Sequence, residues 1–116
     1  MTVLYPCPCC GFEVFTEPAG SSDICLLCGW EDDALQLRHP ARAGGANRDS
    51  LYDAQRQALR LLPLELEAVH EHRRPARWRP LRPEECLGAG SGTEDDVAGA
   101  IATAVGGRSP YYWDRA

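Results

Sequence analysis

A chain of 116 residues, 44% of them apolar, has the size of one small domain and can bury about two-thirds of its unfolded surface. No run approaches the ~18 apolar residues of a membrane span, and Met1-Thr2-Val3-Leu4-Tyr5-Pro6 has neither the basic region nor the apolar core of a secretory leader. The expected chain is therefore soluble and cytoplasmic, with no membrane partner, and its net charge of −5 argues against broad nucleic-acid binding.

All twelve basic side chains are arginine, and the charges fall into blocks. Residues 1–37 hold six acids and no arginine, residues 38–83 ten arginines against five acids, and residues 84–116 two arginines against six acids. This distribution predicts internal complementarity, with an acidic N-terminal lobe packed near an arginine-rich middle.

In chain order, the first feature is a repeated phrase. Cys7-Pro8-Cys9-Cys10-Gly11-Phe12 and Cys25-Leu26-Leu27-Cys28-Gly29-Trp30 both read Cys-x-x-Cys-Gly-aromatic, with fourteen residues, Gly11 to Ile24, between Cys10 and Cys25. Two residues between cysteines let the chain turn so that both sulfurs face one centre, and two such knuckles supply four thiolates to a tetrahedral ion. Glycine after the second cysteine tolerates the positive φ that closes such a turn. The reading is a structural zinc site made by Cys7, Cys10, Cys25 and Cys28. Iron in a rubredoxin-like site is the alternative metal, and disulfides would require an oxidising compartment.

Cys9 is left over as a spare knuckle thiol; a neighbouring tetrathiolate centre of formal charge minus two would make it a poor nucleophile. Cys86 has no partner motif and reads as a buried or half-buried small residue. Metal-binding energies of about 10–16 kcal/mol in small zinc peptides exceed the stability of many domains, so the first third should lose its fold without the ion.

Phe12-Glu13-Val14-Phe15 alternates as a strand, Pro18-Ala19-Gly20-Ser21-Ser22 is a turn, and Asp23-Ile24-Cys25 runs back into the second knuckle. The expectation is a zinc-ribbon-like hairpin, with Phe12 and Trp30 shielding the sulfurs. Asp33 is placed to N-cap a short helix with Gln36 as its capping-box partner, which leaves Asp32 without a local task. His39 is a further possible ligand, but the knuckles already supply four.

Gly44-Gly45-Ala46-Asn47 marks a turn, and Ser50 opens a second helix whose apolar face is Leu51, Ala54, Ala58, Leu61 and Leu62. Pro63 ends or restarts it, and residues 64–74 are expected to form another helix. His70 and His72 would then lie on opposite faces, which disfavours a paired metal site. Pro75, Pro80 and Pro83 space out Arg77, Trp78, Arg79 and Arg82 in an extended segment. Those four residues form the predicted partner-binding surface, for an acidic partner or single-stranded nucleic acid, unless they lie across the acidic lobe, which is preferred.

Residues 88–116 begin with the linker Gly88-Ala89-Gly90-Ser91-Gly92, continue with a helix from Thr93 whose apolar side carries Val97, Ala100, Ile101, Ala104 and Val105, and end in Tyr111-Tyr112-Trp113. Those aromatics either anchor on the body of residues 1–87 or form an interaction peptide. The fold class is thus small metal-bound α+β, with zinc-ribbon or rubredoxin-like hairpin knuckles followed by packed helices.

Taken together, Tyr5-Pro6-Cys7-Pro8-Cys9-Cys10-Gly11, Ile24-Cys25 with Cys28, Trp30-Glu31-Asp32-Asp33, Gln36-Leu37-Arg38, Gly44-Gly45-Ala46-Asn47, Ser50-Leu51 and Ala54 resemble the bacterial cysteine-rich CPCC family, with Arg79-Pro80 as a further match. The chain departs from it at Ala34, where the family usually has proline. The resemblance implies a small metal-binding protein, with some members of immunity or accessory character. The leading functional reading is a non-catalytic zinc-binding module that works by binding another protein. Behind it stand nucleic-acid binding through residues 73–82 and thiol or metal redox chemistry through Cys9 or an iron-loaded site.

Overall fold

The computed structural model describes residues 3–86 and 109–114, and its first third folds as two knuckles, each closed by its own extended flanks. Strand β1 (Tyr5–Pro6) pairs antiparallel with β2 (Glu13–Phe15) across the first knuckle, and Ile24 bridges Glu31 across the second. The expected strand at residues 12–15 forms, but it pairs with β1 rather than with residues 23–25. Chain closure explains the difference. Each Cys-x-x-Cys turn already brings its flanks together through Cys7 N–H to Phe12 O at 2.9 Å and Cys25 N–H to Trp30 O at 2.8 Å. These bonds hold Phe12 beside Cys7 and Trp30 beside Cys25, so each flank pairs within its own knuckle.

Helix α1 (Ala34–Arg38) begins at Asp33, whose carboxylate accepts from Leu35 N at 2.8 Å and Gln36 N at 3.3 Å. The capping box does not close. Gln36 is fully buried and instead donates to the carbonyls of Arg42, Asn47 and Asp49 while its Oε1 accepts from Asn47. It pins residues 42–49 against the second knuckle, where Asn47 also exchanges two 2.8 Å bonds with the Glu31 backbone.

Helix α2 (Leu51–Leu61) is capped by Ser50 as expected, through a 3.1 Å bond from Asp53 N. Its buried face is Leu51, Gln55 and Ala58 with Leu62 half-buried, whereas Leu61 is 83% exposed. Leu51, Ala54, Ala58 and Leu62 of the predicted apolar face thus meet the core, Leu61 does not, and a polar residue, Gln55, joins the buried side because it has partners there. Its amide donates to Pro8 O at 3.1 Å and Tyr112 Oη at 2.9 Å, and its Oε1 accepts from Leu81 N at 2.7 Å.

The helix expected over residues 64–74 is replaced by a hairpin, β3 (Ala68–Val69) against β4 (His72–Arg73), with His70 at φ 53° in its turn. The carbonyls that would continue a helix go elsewhere. Arg74 donates to Leu62 O at 2.6 Å, Pro63 O at 2.6 Å and Leu66 O at 2.9 Å. His72 Nδ1 lies 3.0 Å from Glu13 O and joins this hairpin to β2, while His70 is exposed.

The core gathers the knuckle cysteines, Phe12, Phe15, Trp30, Leu37 and Leu51 with Trp78, Leu81 and the terminal aromatics. Tyr112 is fully buried, and Tyr111 stacks on Trp113 at a ring separation of 4.5 Å. Tyr112 Oη donates to Arg79 O at 2.6 Å and Tyr111 Oη accepts from Ala19 N at 3.1 Å, so the aromatic end anchors on the body of the protein. Residues 87–108, which include the predicted linker and last helix, lie outside the described residues. Among those described, no helix is long and apolar enough to cross a membrane.

Asp32 acquires the task that its sequence context left open. It is 1% exposed, and its Oδ2 accepts from Ser21 Oγ at 2.7 Å and Ser21 N at 3.1 Å. Burial holds its carboxyl above the ordinary range despite these bonds. A raised native pKa means that the folded protein binds this proton more tightly than the unfolded chain, so the group favours folding in acid and opposes it as pH rises through the native value. The Asp32→Asn variant should therefore gain melting temperature relative to the parent between pH 4 and pH 8. A pH-independent difference between the two would remove Asp32 as a titrating contributor. Tyr112→Phe keeps the ring but strands Gln55 and the Arg79 carbonyl; a loss of about 1–3 kcal/mol is expected in denaturant unfolding.

Candidate metal centre

The two knuckles are built alike. In each, the glycine N–H returns to the carbonyl of the first cysteine, Gly11 to Cys7 at 2.8 Å and Gly29 to Cys25 at 2.9 Å. The glycines sit at φ 85° and 83°, the left-handed region that the turn requires. In the second knuckle the N–H groups of Leu27 and Cys28 point at Cys25 Sγ, each 3.4 Å away.

This geometry brings the sulfurs of Cys7, Cys10, Cys25 and Cys28 within 4.8 Å of one another. Cys7 and Cys28 are 3.6 Å apart, and Cys10 and Cys25 3.8 Å. A tetrahedron with metal–sulfur bonds of about 2.3 Å has edges of about 3.8 Å, so the spacing fits a single thiolate-bound ion. Cys7, Cys10 and Cys25 are buried and Cys28 half-buried. As free thiols the four compete for protons: burial raises Cys7, the hydrogen bond to Cys25 raises Cys10, and the hydrogen bond from Cys10 lowers Cys25. A cation among them would displace the shared protons, so metal affinity should rise with pH.

No other group of three or more cysteine, histidine or acidic side chains among the described residues has a metal-binding arrangement. His39, His70, His72 and the Glu31-Asp32-Asp33 run thus stand outside the centre. Cys9 is 2% exposed and also lies outside the four-sulfur set, lining a cavity of about 290 Å³ with Cys28, Trp30, Ala58 and Leu62. Cys86 is half-buried, as its lack of a partner motif suggested, and burial raises its thiol. Phe12 is fully buried and Trp30 3% exposed, both in the cluster that contains the ligand cysteines.

The arginine-rich segment meets this lobe through a residue that sequence reasoning did not single out. Arg74 Nε donates to Cys10 O at 2.8 Å, and its guanidinium lies 4.3 Å from the Phe12 ring centroid and 5.4 Å from that of Trp78. Of the four predicted partner residues, Trp78 is 7% exposed and packs on Gly11. Arg79 forms a bidentate pair with Glu85 at 2.7 and 3.0 Å and reaches Tyr112 O at 3.2 Å. Arg77 and Arg82 are exposed. The segment therefore divides into side chains turned inward and side chains left on the surface. No local pattern marks Arg74, Gln55 or Tyr112, because partners they bond lie far along the chain, 57 residues apart for Gln55 and Tyr112 and 64 for Arg74 and Cys10.

The two knuckle glycines provide an internal control. Both have positive φ, but a Cβ on Gly11 would lie 2.4 Å from Trp78 Cδ2, whereas one on Gly29 would meet nothing within 4 Å. Gly29→Ala should cost about 1–2 kcal/mol of backbone strain. Gly11→Ala should cost about 1–3 kcal/mol more through overpacking. Equal losses in parallel denaturant titrations would show that Trp78 does not press on the knuckle.

A comparison with curated proteins finds no match to this chain. The family model described as Cysteine-rich CPCC matches residues 5–78, a span that contains both knuckles, the helices α1 and α2, the β3–β4 hairpin, Arg74 and Trp78. With its four-sulfur centre and most of its described body inside that match, the chain belongs to the cysteine-rich CPCC family.

Proposed function

We propose that the protein is a non-catalytic, zinc-stapled module of the cytoplasm that works by binding another protein. The observation that carries this reading is the set of four cysteine sulfurs within 4.8 Å of one another, two of whose separations, 3.6 and 3.8 Å, match the edge of one tetrahedron. Such a set fills the coordination sphere and leaves no position for water or substrate, which is the hallmark of a structural site. Zinc is preferred to iron because a given donor set binds Zn²⁺ more tightly than Fe²⁺. An accessory or immunity-like role is the form that family resemblance implies for such a module.

The nucleic-acid reading loses its stacking platform, because Trp78 is the one ring in residues 73–82 and its face rests on Gly11. The redox reading loses accessibility at Cys9, which is 2% exposed. Elemental analysis of the purified protein should find one zinc per chain and no colour. A strong chelator should abolish cooperative unfolding of the N-terminal lobe, and added zinc should restore it. A red protein with stoichiometric iron would replace the scaffold by an electron carrier, and a well-folded protein with no stoichiometric ion would remove the staple altogether.

A further inference from the structure

We propose that the groove between residues 64–67 and 73–80 is a docking site for an acidic, partly apolar segment of a partner protein; the inference rests on the protein-binding reading above and specifies its surface and chemistry. The groove has a volume of about 450 Å³ and is lined by Leu64, Glu67, Arg73, Arg74, Trp78 and Pro80, among others.

Its charge is the first argument. Residues 73–82 contain five arginines and no acid. Arg79 is neutralised by Glu85. Arg74 directs its donors at four carbonyl oxygens, which satisfies its hydrogen bonds without a carboxylate partner among them. Arg73 is exposed, and its side chain makes no hydrogen bond or ion pair among the described residues. Only Glu67 opposes it among the acids of the lining. A guanidinium on the surface with its planar fork unused is suited to bidentate capture of a carboxylate.

The second argument is apolar. Leu64 is 52% exposed at the groove, and Pro75, Ala76 and Pro80 also line it. A ligand that matches both features carries carboxylates beside an aliphatic side chain, which describes an acidic peptide. A single-stranded nucleic acid would supply the charge, but its bases would find no free ring, because Trp78 is buried against Gly11.

The test uses the full, metal-loaded chain and a fluorescein-labelled peptide of glutamates interrupted by leucines, followed by anisotropy. Comparison probes are the same peptide with glutamine for glutamate, and a labelled oligothymidine. Binding of the acidic peptide is expected, weakened at least ten-fold by Arg73→Glu and unchanged by Arg60→Glu, an exposed reversal on α2 outside the groove. No binding, equal binding of the glutamine peptide, or indifference to Arg73→Glu would overturn the proposal. Oligothymidine binding as tight as the acidic peptide would overturn it in favour of nucleic acid. Metal content measured on the same samples separates the two readings. A failed groove in a zinc-loaded protein leaves the scaffold standing, whereas a missing ion sinks the scaffold while the Arg73→Glu comparison still judges the groove.

Discussion

The rest of the structure depends on gathering four sulfurs into a space less than 4.8 Å across. Regular secondary structure could not hold this lobe alone: its ladder consists of a two-residue strand against a three-residue strand, plus one isolated bridge. Two-stranded ribbons of that length are marginal in water. The sulfurs also repel one another as thiolates and hold protons reluctantly shared as thiols. A cation held among them would resolve that conflict, and the burial of Phe12, Trp30 and Phe15 around the cysteines follows from where the knuckles point.

Around this centre the chain is joined by a few buried polar side chains rather than by sheet or helix layers. Gln55 ties the first knuckle to residue 81 and to Tyr112, and Tyr112 in turn reaches the Arg79 carbonyl. Arg74 links Cys10 O to the end of α2, and Gln36 fastens the 42–49 loop to the second knuckle. The Gln55, Tyr112 and Arg74 junctions connect segments far apart in sequence, and each junction would leave buried donors or acceptors unsatisfied if it were broken. The fold therefore has several specific clasps on one lobe built around four sulfurs.

The arginine belt shows how one composition serves two ends. Arg74 and Arg79 are drawn inward, where carbonyls and Glu85 receive them. Arg73, Arg77 and Arg82 remain on the surface. The arginine-rich block thus packs partly on the N-terminal lobe, where Arg74 meets a carbonyl and an aromatic ring, and partly faces outward.

Local chemistry was legible from the residues themselves. The Cys-x-x-Cys-Gly spacing named all four sulfurs that converge, the glycines had to adopt positive φ, Asp33 and Ser50 had to cap, and Pro63 had to end α2. These are contacts within a turn or two, where residue type and spacing fix the geometry. What only the tertiary structure decided was where long-range partners lie. Gln55 joined the buried side of α2 because Pro8, Leu81 and Tyr112 meet it in space. Residues 64–74 became a hairpin because Arg74 took the carbonyls of a would-be helix, and the terminal aromatics became core because Tyr112 found Arg79. A periodic pattern reports the preference of one segment for burial; it carries no information about which distant polar group will claim that segment's backbone.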